Sequence, residues 1–413
     1  MSEIAHIPQL RFPEFSGEWE EKRLGDIADF SKGKGISKSD IDNDGQLECI
    51  RYGELYTTYN ELIKDVHSKT NIAKEDVKLS QIGDVIIPAS GETAIDIATA
   101  SCVLKDGVAI GGDLNIIRSD IDGVFNAYYL NNKNKYSVAR LSQGSSVIHL
   151  YAKHLETLKL NLPTKPEQTK IAAFLTEVDT KIEQLSKKQE LLGEYKKGLM
   201  QQIFSQVIRF KADDGSDFPD WEEKKLGGIG HTFNGLTGKT KDDFGRGKPY
   251  IQYMQIFESS KINIDNFGLV DVRDDENQKV AQYGDVFFTT SSETPDAVGY
   301  SSVLLDDIDK LYLNSFCFGF RPNSLDELSP NFAQFLLRSA NFRRRVVRLA
   351  QGSTRYNMSK VQLMKEVISL PCLKEQTKIS NFLSYIDSKI EQVGKQLDES
   401  KQFKKALLQQ MFV

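Results

Sequence analysis

Cysteine is scarce in this 413-residue chain. The four present (Cys49, Cys102, Cys317, Cys372) are scattered and show no C-x-x-C spacing. A disulfide framework and a zinc site are disfavoured, and free thiols in a reducing cytoplasm are expected. The five histidines (His6, His67, His149, His154, His231) form no H-E-x-x-H or comparable ligand spacing, so no metal is expected. No apolar run approaches the ~18 residues of a membrane span. Met1 to His6 lacks the basic start and apolar stretch of a secretory leader, and no membrane partner is expected. Catalytic signatures are missing too. There is no Asn-Pro-Pro-Tyr or Asp-Pro-Pro-Tyr run of the kind that holds a target base in amino-methyltransferases, and no G-x-G-x-x-G after a strand. Gly238-Lys239-Thr240 ends like a Walker A loop, but Phe233 stands where its first glycine belongs. Carboxylates are abundant enough to leave a nuclease-like cluster open, yet the expectation is a non-catalytic chain.

What the chain does contain is a duplication. Glu167-Gln168-Thr169-Lys170-Ile171 returns 208 residues later as Glu375-Gln376-Thr377-Lys378-Ile379. Asp179-Thr180-Lys181-Ile182-Glu183-Gln184 returns as Asp387-Ser388-Lys389-Ile390-Glu391-Gln392. A period this long indicates two domain-sized copies and not a solenoid. The segment from Trp19 (Trp-Glu-Glu-Lys-Arg-Leu-Gly) matches that from Trp221 (Trp-Glu-Glu-Lys-Lys-Leu-Gly). Ile82 to Ile87 matches Tyr283 to Phe288, Ser90 to Thr93 matches Ser291 to Thr294, and Gln143 to Ser146 matches Gln351 to Thr354. Between these anchors the copies diverge, and Thr57 to Leu79 has no obvious counterpart. A shared skeleton with divergent interiors suits two related domains that read different things.

Strand and helix signals are mixed, so each globular half is expected to be α+β with a β-rich core. Cys49 to Tyr56 alternates as a strand, Ile82 to Pro88 reads as a turn feeding a buried strand, and Leu114 to Arg118 reads as another. Phe125 to Leu141 has roughly helical spacing. Phe30 to Lys38 is a Gly/Lys-rich loop that either tracks a phosphate backbone or is a solvated surface loop. The expected boundaries are residues 1–165 for the first domain, 166–207 for a central helix, 208–373 for the second domain and 374–413 for a C-terminal helix.

Both closing segments carry a seven-residue apolar step. In the first it runs through Ile171, Val178, Leu185, Leu192 and Leu199, and in the second through Ile379, Ile386, Val393 and Leu407, with Ser400 interrupting. This argues for a coiled-coil seam. Prolines just upstream (Pro163, Pro166, Pro371) and early acids mark helix starts. A helix of about 38 residues is roughly 57 Å long and must bury its stripe. The expected solution is an antiparallel pair, pseudo-two-fold symmetric, that separates the two domains; the plainer one is that each helix packs on its own domain.

Net charge is −5, but it is uneven. Arg338 to Lys365 carries eight basic residues and no acid, and the equivalent Lys133 to Lys159 nets +4, leaving −17 elsewhere. An acidic chain with a basic stripe in each repeat suits a polyanion held at two places. The alternative is a helix with a solvated basic face. The Gln-Gly-Ser loop inside each stripe offers amides and hydroxyls to phosphates or base edges.

Two halves, each opened by Phe-Pro…Trp-Glu-x-Lys-x-Leu-Gly (from Phe12-Pro13 and Phe218-Pro219) and closed by Pro…Glu-Gln-x-Lys-Ile plus a long helix, resemble the DNA specificity subunit of type I restriction-modification systems. The resemblance covers essentially the whole chain. It implies two target-recognition domains, each reading half of a bipartite double-stranded DNA sequence. It also implies helices that set the gap, two modification (methyltransferase) subunits and two restriction (translocase/endonuclease) subunits as partners, and S-adenosylmethionine, ATP and magnesium used only on those subunits. On this reading the first domain contacts DNA through Ser31, Lys32, Lys34, Lys38, Ser90, Glu92, Thr93, Gln143, Ser145, Ser146, His149, Tyr151 and Lys153. The second uses Asn234, Thr237, Lys239, Ser291, Ser292, Thr294, Arg343, Arg344, Arg345, Arg348, Gln351, Ser353, Thr354, Arg355 and Tyr356. The alternative is a coiled-coil scaffold that binds proteins and reads no DNA. A third reading, an autonomous nuclease or methylase, would require activity of the chain alone.

Overall fold

The computed structural model describes residues 6–413. The chain divides into two compact units. The first holds residues up to Ser186 together with Lys395–Val413, and the second holds Lys187–Gly394. Among the described residues, no helix is long and apolar enough to cross a membrane.

The first unit is built on a five-stranded sheet in the order Ala28–Lys32, Leu114–Ser119, Val85–Pro88, Ser101–Val103, Leu62–Ile63. Val85–Pro88 is buried along its whole length, as a near-continuous apolar run at the centre of a covered sheet should be. Just before it, Asp84 is buried and accepts a two-pronged bond from Arg118, at 2.7 Å to each oxygen. A smaller four-stranded sheet around Leu47–Ile50 forms a second lobe. Glu20–Arg23 pairs antiparallel with Lys159–Leu162, closing the domain at the foot of the long helix.

The second unit repeats this order. Its main sheet runs Gly230–Asn234, Cys317–Pro322, Val286–Thr289, Ser301–Val303. Asp285 is again buried and held by Arg321 at 2.6 and 2.7 Å. Glu222–Lys225 pairs with Val367–Leu370. The mixed strand and helix content matches the α+β expectation.

Two expected elements are different. The strand over Cys49 to Tyr56 stops at Ile50, and Glu54–Thr57 is a short helix. The Glu54 carboxylate accepts the Arg51 N–H at 2.8 Å and bends the chain before the next residue can join the sheet. The single helix over Phe125 to Leu141 is two, Gly123–Asn131 and Lys135–Arg140. The Asn131 amide pairs with both backbone groups of Ala100, and the asparagine-rich link leaves the helix there, since Asn competes for local backbone bonds.

The long helices are Lys165–Phe204 and Leu373–Gln410. Each lends one half to each unit. In the first unit, Lys404 Nζ lies 2.8 Å from Asp179, and the Leu10 N–H donates to Gln410 O beside the Arg11–Glu167 pair. The two segments therefore run antiparallel. In the second unit, Lys196 pairs with Asp387 and Gln189 lies against Gly394, again antiparallel. The seam residues Ile171, Leu185 and Leu407 are buried in the first unit, and Ile379, Ile386 and Val393 in the second, with Val178, Leu192 and Leu199 half-buried. Pairing and domain packing are not alternatives here. Ile171, Leu175, Leu407, Met411 and Phe412 share one core with Trp19, Phe125 and Tyr129, while Ile203, Phe204, Ile379 and Leu383 share another with Phe332 and Phe335.

The glutamate and glutamine of the repeated five residues form a clamp. Glu167 is buried and accepts Arg11 Nε and Nη2, both at 2.8 Å. Glu375 accepts Arg209 and the Trp221 indole N–H. Gln168 accepts the Asp122 N–H and donates to Pro163 O. Gln376 accepts the Ser329 N–H and donates to the carbonyls of Glu327 and Pro371. Each glutamate ties down the arm entering its domain, and each glutamine ties the helix to the loop beneath it. Identity at these positions is explained by buried polar groups that must be satisfied.

Candidate nucleic-acid interface

In the first unit the sheet brings Ser90 and His149 together. Ser90–Gly91 pairs antiparallel with Ile148–His149, and Gln143 pairs with His149 across a tight hairpin. Gln143, Ser145 and Ser146 sit exposed at its tip. The turn at Gly144 has φ 130°, and a Cβ there would lie 2.1 Å from Val147 O, so glycine is required. Glu92 and Thr93 follow the ribbon. The Thr93 hydroxyl accepts the Asp96 N–H and so starts the next helical turn. Tyr151 lies between His149 and His154, at 6.1 and 5.5 Å between ring centroids, with the Lys153 ammonium over its face.

Beside this ribbon is a cleft lined by Gly35, Ser37, Lys38, Tyr52, Gly53, Tyr56 and Gly111 to Asp113. Burial, then Tyr52 and the carboxylates of Asp96 and Glu92, push the Tyr56 hydroxyl up. Ser31 and Lys32 end the strand feeding it, and Lys32 lies 3.7 Å from Asp113. Lys34 is exposed in the same loop.

The second unit assembles the same parts. Ser291–Ser292 pairs with Tyr356–Met358, which also pairs with Ala350–Gln351. Ser353, Thr354 and Arg355 form the exposed tip. The cleft is lined by Tyr253, Met254, Phe257, Ser291 to Thr294, Phe316, Thr354 and Arg355. The Tyr253 hydroxyl donates to Ser291 O at 2.7 Å. The tyrosine and aromatic pairs Tyr52/Tyr56 and Tyr253/Phe257 were legible as a Tyr-x-x-x-aromatic spacing after a strand in both copies, a signal that sequence reading missed.

Several expected contacts are elsewhere or occupied. Lys239 is turned into the smaller lobe, its side chain 7% exposed and paired with Glu276 at 2.7 Å. The Lys239 ammonium, aided by Gln278 and the Arg273 N–H, holds the Glu276 carboxyl down at about 2. The Thr237 N–H is bonded to Gln278 in that lobe. Asn234 accepts from Lys360 at the sheet edge.

The basic stripe of the second unit splits in the same way. Arg343 is half-buried, stacks on Tyr300 at 4.2 Å and donates to the carbonyls of Asp296, Val298 and Gly299. Arg345 donates to Val367 O. Arg338 donates to the carbonyls of Ser301, Ile256, Phe257 and Ser259, and burial pulls its guanidinium down to about 10. These three correct the expectation of one continuous basic stripe that meets a polyanion, since their donors go to backbone carbonyls. Arg338 and Arg343 instead fix the backbone of the cleft wall, because a guanidinium's fork of donors satisfies several carbonyls at once. Arg344, Arg348 and Arg355 remain exposed. Arg343→Ala is therefore expected to lower unfolding free energy by about 1–3 kcal/mol, the cost of leaving buried acceptors unpaired. Arg344→Ala is expected to stay within ~0.5 kcal/mol. Paired thermal-unfolding curves check both; equal shifts would contradict the division.

The family profile described as "Type I restriction modification DNA specificity domain" matches residues 16–192 and 219–399. The type I restriction enzyme MjaVIII specificity subunit of Methanocaldococcus jannaschii is 27% identical over 97% of this chain and 92% of its own length. The putative type I restriction enzyme MjaX specificity subunit of that organism is 25% identical, covering 98% and 94%. In fold, the chain is similar to the type I restriction-modification S subunit from M. genitalium, with a TM-score of 0.60 at 16% identity over 98% of this chain and 99% of the other. A chain from a structure titled for complex assembly and conformational transition of the type I R-M system gives a TM-score of 0.53 at 19% identity, covering 94% of this chain and 96% of the other. With the domain matched twice and most of the sequence covered, this chain belongs to the family of non-catalytic DNA specificity subunits of type I restriction-modification systems.

Proposed function

We propose that each unit reads one half of a bipartite double-stranded DNA target, and that the long helices set the gap and dock the modification subunits in the cytoplasm. The observation that supports this most is the cleft built twice on one scaffold. Each unit has a hairpin demanding glycine at its tip, a Ser-x-Glu-Thr turn and a Tyr-x-x-x-aromatic pair; in the second unit the turn and the hairpin line the cleft, and in the first they lie on the ribbon beside it. Hydroxyls, amides and arginine so displayed suit base edges and phosphates. Two modification and two restriction subunits would supply the chemistry, using S-adenosylmethionine, ATP and magnesium that this chain does not bind. The protein-scaffold reading lacks a comparable observation in its favour.

Selection from a random duplex pool by the complex with modification subunits tests the reading. The native chain is expected to enrich two fixed half-sites around a constant gap. Inserting seven residues into both helices, after Ser186 and after Gly394, preserves the apolar step. It lengthens each helix by about 10.5 Å, near three base pairs at about 3.4 Å each. The half-sites should stay the same and the gap widen by about three. No enrichment by the native chain, or altered half-sites in the variant, would sink the reading.

A further inference from the structure

Strand registers let the two clefts be compared position by position. The Gly111 N–H bonds Ile50 O, and the Asn314 N–H bonds Ile251 O, so Ile50 and Ile251 correspond. Tyr52 then corresponds to Tyr253, Gly53 to Met254 and Tyr56 to Phe257. The Ala89 N–H bonds Asp113 O, and the Thr290 N–H bonds Phe316 O, so Asp113 corresponds to Phe316. His149 opposes Ser90 as Asn357 opposes Ser291, so Val147 corresponds to Arg355.

Most positions of the clefts and of the ribbons beside them keep their chemistry: the first tyrosine, the second aromatic, Glu92 and Glu293, Thr93 and Thr294, the Gln-Gly-Ser tip. Four change it. Gly91 stands against Ser292, and Gly53, Asp113 and Val147 in the first unit stand against three larger side chains, Met254, Phe316 and Arg355, in the second. All three of the second unit's side chains line its cleft. Met254 is 49% and Phe316 59% exposed. Neither is needed by the core, and water-facing apolar side chains flanking a cleft call for a partner. The Arg355 guanidinium is exposed and lies 5.9 Å from the Phe316 ring centroid. Among the described residues, none accepts a hydrogen bond from it.

We infer that Met254, Phe316 and Arg355 are the base-reading residues of the second unit, and that Gly53, Asp113 and Val147 make the first unit read a different sequence from the same scaffold. The inference rests on the DNA-reading proposal above and deepens it. Arg355 presents a fork that matches guanine O6 and N7, and Phe316 and Met254 present apolar surface that suits a thymine methyl. In the first unit, Asp113 accepts the cytosine N4 amine, Val147 takes the methyl contact, and Gly53 leaves room for the neighbouring base. The constant residues hold the duplex at a fixed height over both clefts.

The test is the same pool selection, with the assembled complex carrying Arg355→Val, Phe316→Asp or both. The native second half-site is expected to contain a guanine that Arg355→Val no longer prefers, with discrimination at that position falling roughly 5- to 150-fold. Phe316→Asp should exchange the neighbouring preference. The first half-site should be unchanged in every variant. Val147→Arg is the reciprocal test and should add a guanine preference to the first half-site only. An unaltered second consensus in the double variant overturns the inference. So does loss of modification-subunit binding with the consensus intact, which would make this face a protein contact. If the native complex enriches no sequence at all, the DNA-reading proposal itself has failed, a result distinct from either of these.

Discussion

Glu375→Ala is expected to lower the melting temperature of the second unit by roughly 6–12 °C. The carboxylate is fully buried and accepts from Arg209 at 2.9 and 3.3 Å and from the Trp221 indole at 3.1 Å. Removing it strands a guanidinium and an indole N–H together. Breaking one side of a buried ion pair costs about 3–5 kcal/mol. The lower part of that range applies, because Arg209 keeps Asp220 and two backbone carbonyls. A loss of about 3 kcal/mol at ~2–4 °C per kcal/mol gives the stated shift for a unit of this size. Glu375→Gln retains the shape and one acceptor and should lose less than half as much. Differential scanning calorimetry reads both. A Glu375→Ala transition within 2 °C of native would show that the repeated motif is not the clamp described. Glu167→Ala should act alike in the first unit, where, among the described residues, Arg11 is the carboxylate's one donor and the Trp19 indole nitrogen has no hydrogen-bond partner.

The clamp explains what could and could not be read from the chain. The duplication was legible because a buried carboxylate, its amide neighbour and the first seam residue tolerate little change, so the motif repeats letter for letter. The helices were legible because burying one stripe imposes a seven-residue step. The cleft was not, because its shape depends on non-local strand pairing. Ile50 ends its strand because of a carboxylate four residues on, and no periodicity encodes that. The arginine-rich helix misled for a related reason. Eight basic residues without an acid between Arg338 and Lys365 read as one stripe facing a polyanion, whereas Arg338 and Arg343 spend their donors on carbonyls of segments more than 35 residues away in sequence. Met254 and Phe316 escaped notice as ordinary apolar residues. Only their exposure, together with a register that sets them opposite Gly53 and Asp113, singles them out.

Gly352→Ala is expected to cost the second half-site while leaving the fold standing. Gly352 has φ 136°, and a Cβ would lie 2.1 Å from Arg355 O. Relaxed side chains do not cure that clash, since the neighbour is backbone. The hairpin from Gln351 to Tyr356 must open, carrying Ser353, Thr354 and Arg355 away from the strand that pairs with Ser291–Ser292. Its tip is exposed and makes little of the core, so calorimetry should show a small shift. Binding to the selected duplex at fixed salt should weaken toward the level of unrelated DNA, about 10³-fold or more. A duplex with only the second half-site scrambled should then bind no worse than the intact one. Gly144→Ala, with φ 130° and the same 2.1 Å approach to Val147 O, should erase the first half-site and spare the second. Gly238→Ala is the control. It has φ 67° but no atom within 4 Å of a Cβ, and it lies in a loop whose Lys239 and Thr237 face the smaller lobe. Backbone strain alone should leave its half-site intact. Retention of the second half-site by Gly352→Ala within about threefold would move base reading off this hairpin.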